Sequence, residues 1–115
     1  MGKLVFKKKK DGDIVILTIG GAIDTGVLPQ LESKIKKAIA AGGKKFIGDL
    51  SSLEYLTSSG IGMLIAIKNL VKSKGGDIKL ACVNSKIMKV FSLLNLNKLI
   101  QIVPTVEDAR KAFKE

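Results

Sequence analysis

The stretch DLSSLEYLTSSGIGML, residues 49–64, contains the change of hydropathy pattern that decides the fold. It begins at the end of a short apolar run, residues 45–50, that is typical of a buried strand. It leads into apolar residues at helical spacing from about Ser59 to Lys74. We therefore predict a strand, a polar loop and a helix. Because ligands and partners meet open α/β sheets at the carboxyl ends of strands, the loop is the first candidate for a functional site.

Three hydroxyl residues, Thr57, Ser58 and Ser59, directly precede the predicted helix. One of them is expected to be the N-cap, which accepts a hydrogen bond from the first free amides. Gly60 and Gly62 follow, although glycine inside a helix costs about 1 kcal/mol relative to alanine. Two such glycines indicate that a neighbouring element or a partner approaches the backbone closely. A helix start also tolerates phosphate, but the Gly-Lys-Ser/Thr of nucleotide-hydrolysing loops is absent.

Strand and helix patterns alternate along the rest of the chain. Runs at residues 5–8 and 14–19 flank an Asp-Gly-Asp turn and predict an antiparallel hairpin. The further predicted elements are a helix from Leu28 to Gly42-Gly43, a strand over 78–83, a helix over 85–94 capped by Ser85, a strand over 99–103, and a terminal helix capped by Thr105. The order β-β-α-β-α-β-α-β-α predicts an α/β fold. We expect a mixed sheet of four to five strands covered by about four helices, in a single domain over residues 1–115.

The composition excludes several classes of catalyst. The 115 residues include no His and one Cys, which removes Ser-His-Asp and Cys-His catalysis and zinc sites built from Cys and His. We expect no cofactor, no metal and no enzymatic activity. Cys82 lies in a strand-like run and is expected to be a small buried core residue. One Cys agrees with a reducing compartment, and no apolar run is long enough to span a membrane, so we expect a cytoplasmic protein.

The basic charge leaves two interpretations open. Lys and Arg total 20 against 10 Asp and Glu, for a net charge of +10, and every cation except Arg110 is a Lys. The lysines are dispersed, which favours a solvated surface over a nucleic-acid or anionic-membrane footprint. With no Trp, one Tyr and four Phe, the chain has few side chains that stack on bases. We therefore predict no specific nucleic-acid binding at physiological salt.

A series of short motifs occurs in a recognisable order along nearly the whole chain. They are Gly21-Ala22-Ile23-Asp24, Asp49-Leu50-Ser51, the segment from Thr57 to Leu64, Gly75-Gly76-Asp77, Ser85-Lys86-Ile87, and the segment from Phe91 to Leu96. This series resembles the landmarks of the STAS domain, which sulfate transporters share with bacterial anti-sigma-factor antagonists. The serine loop is the most specific part. The resemblance implies a STAS-like fold and a protein-interaction switch.

The resemblance also implies a partner and a set of site residues. In antagonists of this family, an anti-sigma factor with serine kinase activity phosphorylates the serine that corresponds to Ser58. The unphosphorylated antagonist captures that factor and thereby releases a sigma factor. Asp24 is expected to lie beside the loop. The implied partner-binding residues are Asp24, Thr57, Ser58, Ser59, Gly60, Gly62 and Met63.

One departure from the family pattern keeps other functions open. Thr57 stands where many antagonists carry Asp, and its hydroxyl is itself an alternative phosphate acceptor, as is that of Ser59. The replacement is compatible with a stressosome-type scaffold or with the small subunit of a lipid transporter. A basic nucleic-acid-binding domain is a further alternative, and the pattern assigns no oligomeric state.

Overall fold

The computed structural model describes residues 4–114, and within them the backbone forms one six-stranded mixed sheet. The strands are β1 Val5–Asp11, β2 Ile14–Ile23, β3 Lys45–Asp49, β4 Leu53–Leu56, β5 Asp77–Ala81 and β6 Ile102–Val103. Their order is β1-β2-β3-β5-β6, and β4 pairs with the far end of β2. The β1–β2 hairpin is antiparallel and every other pairing is parallel, so all strands after β1 run in one direction.

Helices cover both faces of this sheet. They are α1 Leu28–Ala40, α2 Ser58–Ser73, α3 Ser85–Leu93, the single-turn α4 Leu96–Leu99, and α5 Val106–Lys114. Successive side chains of β2 face opposite sides of the sheet, so alternate residues belong to two different cores. Val15 and Leu17 belong to the large core under α1–α4, whereas Ile14 and Ile16 belong to a small core under α5.

The predicted α/β class and the opening hairpin are confirmed, and two short elements differ from the prediction. Strand β4 makes a sixth strand within the residues read as a loop. Two consecutive exposed residues, Glu54 and Tyr55, interrupt the alternation that would predict a strand. The strand forms because its backbone pairs with β2. Helix α4 replaces the start of the predicted last strand, because Asn95 adopts a left-handed φ of 59° and turns the chain into a new helical turn.

The caps of α3 and α5 test two predictions with opposite results. Asn84, not Ser85, caps α3: its Oδ1 accepts a 2.8 Å hydrogen bond from the Ile87 amide, and its Nδ2 donates to the Leu53 carbonyl at 3.0 Å. The longer amide side chain thus ties α3 to β4. Thr105 caps α5 as predicted, since its Oγ1 accepts from the Asp108 amide at 3.0 Å.

Cys82 does not occupy the core position predicted for it. It follows the end of β5, adopts a φ of 63° and remains half-buried at the edge of the small core. Partial burial and the negative charge of Asp49 raise the pKa of its thiol. A raised pKa keeps the thiol protonated and weakly nucleophilic near neutral pH.

A buried lysine joins α5 to the start of β5. Lys79 is 7% exposed, and its Nζ donates to Gln101 Oε1 at 2.7 Å. The same ammonium group lies 3.7 Å from Asp77 Oδ2 and 4.7 Å from the centre of the Phe113 ring. Asp77 also forms an ion pair with Lys68 of α2. One carboxylate therefore balances two ammonium groups, one of which is buried.

We expect Asp77→Asn to lower the free energy of unfolding by about 1–2 kcal/mol at pH 7, because it leaves the buried Lys79 without its counter-charge. The loss is smaller than for a fully buried pair because the Asp77 side chain stays 26% exposed. Urea unfolding measures it. The matched control is Glu32→Gln, which removes the exposed pair with Lys36 at 3.7 Å and should change stability much less.

The same loss should depend on pH. Partial burial works to raise the pKa of Asp77, but hydrogen bonds from Lys68 and the Ile78 amide, with the Lys79 charge, lower it overall. Because the pKa of Asp77 is lower in the folded state than its value of ~3.9 in the unfolded chain, the ionised carboxylate stabilises the fold at pH values above the unfolded-state pKa. This stabilisation disappears as the pH falls through the folded-state pKa. The difference between the wild type and Asp77→Asn should therefore shrink below about pH 4. A difference that persists at pH 2 would contradict this account.

Candidate functional site

The ends of β2 and β4 bring Asp24 and the serine loop to one edge of the sheet. Ile23 pairs with Leu56 in parallel register, and the Thr57 amide donates to the Ile23 carbonyl at 3.3 Å. Asp24 and Thr57 are the next residues on each strand, so they leave the sheet side by side. The carboxyl edge of the sheet thus gathers the residues that the sequence placed in separate motifs.

Asp24 has a structural role at this edge as well as an exposed position. Its Oδ1 accepts a 3.1 Å hydrogen bond from the Val27 amide, and its backbone carbonyl accepts from the amides of Val27 and Leu28. These bonds form the turn that starts α1. The residue is exposed, so a negative charge is held in a fixed place beside the loop.

Thr57 is the N-cap of α2, which leaves the two serines to the surface. Its backbone is extended, with φ −73° and ψ 164°, and its Oγ1 accepts from the Gly60 amide at 3.1 Å. Ser58 and Ser59 are therefore the first two residues of the helix, and both are exposed. Ser58 is thus exposed at the start of the helix, as the place of the polar loop before the helix predicts. The cap is the first of the three hydroxyl residues.

The two glycines in the first turns of α2 differ in the space around them. A Cβ on Gly60 would lie 2.3 Å from Leu56 Cδ1 and 3.5 Å from Leu28 Cδ2, so any larger residue here would require the Leu56 side chain to move. A Cβ on Gly62 would meet no atom within 4 Å. The glycine at position 60 is thus explained by close packing against a neighbouring element. Nothing inside the fold requires Gly62, which leaves the exposed helix surface bare beside Ser58.

Met63 does not fit the partner contact predicted for it. Its side chain is 8% exposed and belongs to the large core under α1–α4. Gly60 is buried too, and its role is the close packing just described. The residues brought together on the surface are Asp24, Thr57, Ser58, Ser59 and Gly62, which we call the serine surface.

An exposed apolar patch lies next to the serine surface and was missed by the sequence analysis. The helical period of α3 predicts that Val90 and Leu94 face inward, yet they are 38% and 49% exposed. Val90 and the 49%-exposed Tyr55 line a shallow cavity of about 120 Å³, together with Leu56 and Ile61 on either side of the serine loop. The signal available in the sequence was Tyr55 directly after the charged Glu54, which is compatible with an aromatic ring on a half-exposed strand.

Two searches of the described residues bear on other functions. Within residues 4–114, no group of three or more Cys, Asp or Glu side chains is arranged to hold a metal ion. Across the same span, none of the helices combines the length and the apolar character needed to cross a membrane.

Comparison with known proteins gives one consistent result. A family model described as the STAS domain matches residues 6–109. The anti-sigma-B factor antagonist of Bacillus subtilis is 28% identical over 95 residues, which cover 83% of this chain and 85% of that protein. The anti-sigma-F factor antagonist RsfB of Mycobacterium tuberculosis is 30% identical over 98 residues, covering 84% and 78%.

The fold comparison agrees. SpoIIAA of Bacillus has been solved in unphosphorylated and phosphorylated forms, with TM-scores of 0.80 and 0.71 to this chain and 22% sequence identity in both comparisons. The unphosphorylated structure covers 96% of each chain, and the phosphorylated one covers 95% of this chain and 99% of SpoIIAA.

The glycine geometry makes a paired prediction about stability. Gly62→Ala should raise the free energy of unfolding by up to about 1 kcal/mol, because alanine lowers the entropy cost of the helix and meets no neighbour. Gly60→Ala should lower it by about 1–3 kcal/mol, because the added methyl group overlaps Leu56. Thermal and urea unfolding of the two variants measure both changes. Equal destabilisation by the two substitutions would contradict the assignment.

Proposed function

The chain belongs to the STAS domain family, and on that premise we propose that it is an anti-sigma-factor antagonist switched by phosphorylation of Ser58. Residues 1–115 form one such domain. In the unphosphorylated state it binds an anti-sigma factor that is also a serine kinase, and the sigma factor is released. This is a binding role in the cytoplasm, with no catalysis by the chain and no specific nucleic-acid contact. The observation that carries the proposal is an exposed serine at the start of α2, beside a fixed carboxylate.

The geometry supports a phosphorylated and an unphosphorylated form of the free protein. Because the Thr57 side chain caps the helix, the Ser58 hydroxyl does not form the cap, and its modification leaves the capping hydrogen bond intact. The helix N-terminus carries about half a positive charge, which offsets part of the phosphate charge. SpoIIAA, which shares this fold, exists in both forms.

The same charge acts differently when a partner covers the serine surface. Phosphate adds about −1.5 to −2 charges, which a close contact must strip of water. Asp24 adds a like charge at the same edge. Phosphorylation therefore destabilises the complex more than it destabilises the free domain, so it ends the capture without unfolding the domain.

The apolar patch beside the serine surface supports docking of a protein rather than of a small substrate. Exposed apolar side chains that cluster next to polar ones are typical of protein–protein interfaces, and tyrosine is a frequent anchor in them. Tyr55 and Val90 provide such a cluster on the α3 side of the loop. Gly62 leaves room for a partner to approach the helix backbone directly.

Variants of the loop test the switch. Incubation with ATP and the cognate kinase should add one phosphate to the wild type and none to Ser58→Ala, as read by intact-protein mass. Ser58→Ala should keep its fold and its partner. Ser58→Glu should fold but bind the partner roughly tenfold more weakly, a loss of about 1.4 kcal/mol, because it places part of the phosphate charge in the contact.

Two further variants serve as controls for the loop. Ser59→Ala should still be phosphorylated at Ser58, since the cap that positions the start of α2 is Thr57. Thr57→Asp should retain a good cap and restore the usual family carboxylate, which tests its part in kinase recognition. Phosphate on Ser58→Ala, mapped to Thr57 or Ser59, would move the acceptor. No phosphate and no kinase-type partner for any variant would favour the scaffold alternative.

The patch makes a separate prediction about partner affinity. Tyr55→Ser should weaken binding of the anti-sigma partner about tenfold, because it removes an aromatic anchor beside the loop. Leu93→Ser is the matched control: Leu93 is 81% exposed but lies with Ser85, Met88 and Ser92 on another side of α3. Isothermal titration measures both. Equal losses in the two variants would contradict a docking surface centred on Tyr55.

A further inference from the structure

Strand β1 forms an outer edge of the sheet. Over residues 4–114 it pairs with β2 alone, along its whole length of seven residues. The strand at the other end of the sheet order, β6, has only two residues. An edge strand presents backbone N–H and C=O groups that another extended chain can bind. The outer edge of β1 is therefore long enough to accept a further strand.

The turn between β1 and β2 fixes the hydrogen-bonding pattern of this hairpin. Gly12 has a φ of 64° and stands with Asp13 in a two-residue loop, which closes on the pair Asp11 and Ile14. A glycine with positive φ at the first loop position is typical of the type II′ turn. Such a turn joins its flanking residues by a hydrogen bond, so Asp11 directs its backbone groups toward β2.

The backbone groups of alternate lysines therefore point away from the sheet. Hydrogen-bonded and non-hydrogen-bonded pairs alternate along an antiparallel ladder. Counted back from Asp11, Lys9 and Lys7 belong to hydrogen-bonded pairs with β2. Lys10 and Lys8 belong to the other kind of pair, so their N–H and C=O groups face outward. These two residues are the binding points for an added strand.

The lysine side chains lie on both faces of this edge. Lys8 lies opposite Leu17 of the large core, and residues directly opposite in an antiparallel pair share one face. Lys9 lies opposite Ile16 of the small core and hence on the other face. All four residues of the run Lys7–Lys10 are exposed, and no ion pair within residues 4–114 involves them. Their charges are therefore available to a partner on either face.

The charge of the edge decides which chain can pair with it. A second copy of β1 would place lysines opposite lysines, and like charges directly opposite destabilise a strand pair. An extended segment with acidic residues would instead meet an ammonium group at each position. The only adjacent acidic residues of this chain are Glu107 and Asp108, so it contains no such segment itself. The complementary strand has to come from another protein.

We propose that the outer edge of β1 binds an extended acidic segment of a partner protein, which adds a strand to the sheet. Main-chain hydrogen bonds with Lys8 and Lys10 hold the segment, and the ammonium groups on both faces select acidic side chains. The lysines that keep two copies of the chain apart thus select the partner. Ser58 is not part of this surface, so binding here does not require the phosphorylation switch.

Two peptides of equal charge separate strand pairing from charge attraction. The probe is the blocked peptide Thr-Val-Glu-Glu-Glu-Glu-Val-Thr, and the control carries N-methyl groups on its glutamate amides. Both are titrated calorimetrically at about 50 mM salt, where neighbouring charges are only partly screened. We expect one saturable site for the probe and at least roughly tenfold weaker binding of the control, which has lost its backbone donors.

Two variants of Lys8 make the same separation in the protein. Lys8→Gln and Lys8→Pro both remove one charge, but only proline removes the outward N–H group. Proline is tolerated in an edge strand where the N–H faces away from the sheet. We expect Lys8→Gln to bind the probe about twofold more weakly and Lys8→Pro at least roughly tenfold more weakly. Circular dichroism checks that both variants keep the fold.

Hydrogen exchange of the wild type gives a direct readout of the added strand. The outward amides of Lys8 and Lys10 should exchange quickly in the free protein and slowly with the probe bound. The Lys9 amide, which bonds to β2, should be protected in both states. This pattern does not depend on the folding of any variant.

Three results would overturn the proposal. They are the absence of saturable binding, equal binding of the two peptides, and unchanged exchange at Lys8 and Lys10 when the probe is bound. An oligothymidylate that binds as tightly as the probe would also overturn it, because it would show attraction to charge alone. Ser58→Glu should bind the probe like the wild type, so failure of the phosphorylation switch would leave this test unaffected.

Discussion

The close contact between Gly60 and Leu56 sets the geometry of the whole carboxyl edge. A hydrogen at the Cα of Gly60 is what lets α2 start directly against the end of β4, and β4 in turn pairs with the end of β2. The bond from the Thr57 amide to the Ile23 carbonyl fixes the level at which the two strands stop. Ser58 and Asp24, which follow the ends of these two strands, are both exposed. The position of Ser58 thus depends on this packing contact.

The charge distribution follows the strand direction as the packing does. The carboxyl edge presents the exposed Asp24 beside the start of α2, with Lys86 in the lining of the adjoining cavity, whereas Lys8 and Lys10 lie near the amino edge. The net charge of +10 is therefore unevenly distributed, and a partner experiences a different local charge at each edge of the sheet. A phosphate on Ser58 would add its charge to that of the nearby Asp24, which increases its effect on a docked protein.

The sequence predicted the features that depend on local pattern and missed those that depend on pairing. Helix α2, the hairpin and the Thr105 cap rest on periodicity and short-range hydrogen bonds, so they could be read directly. Strand β4 could not, because Glu54 and Tyr55 look like loop residues until β2 supplies their backbone partners. Val90 and Leu94 illustrate the same limit, since a helical period cannot tell whether a neighbour covers the face. The motif order located the serine surface, but it also included Met63, whose burial only the packing reveals.

Gly62 separates the demands of folding from those of binding. Gly60 is required by Leu56, so its presence says nothing about a partner. Gly62 has no neighbour and weakens the helix relative to alanine by about 1 kcal/mol. Gly62 therefore leaves a stretch of helix surface without a side chain, which a partner can contact directly. Because Gly62 lies four residues after Ser58 and three after Ser59, it shares their side of α2. A partner that covers Ser58 would therefore also cover Gly62, and a phosphate added to Ser58 would lie within that contact.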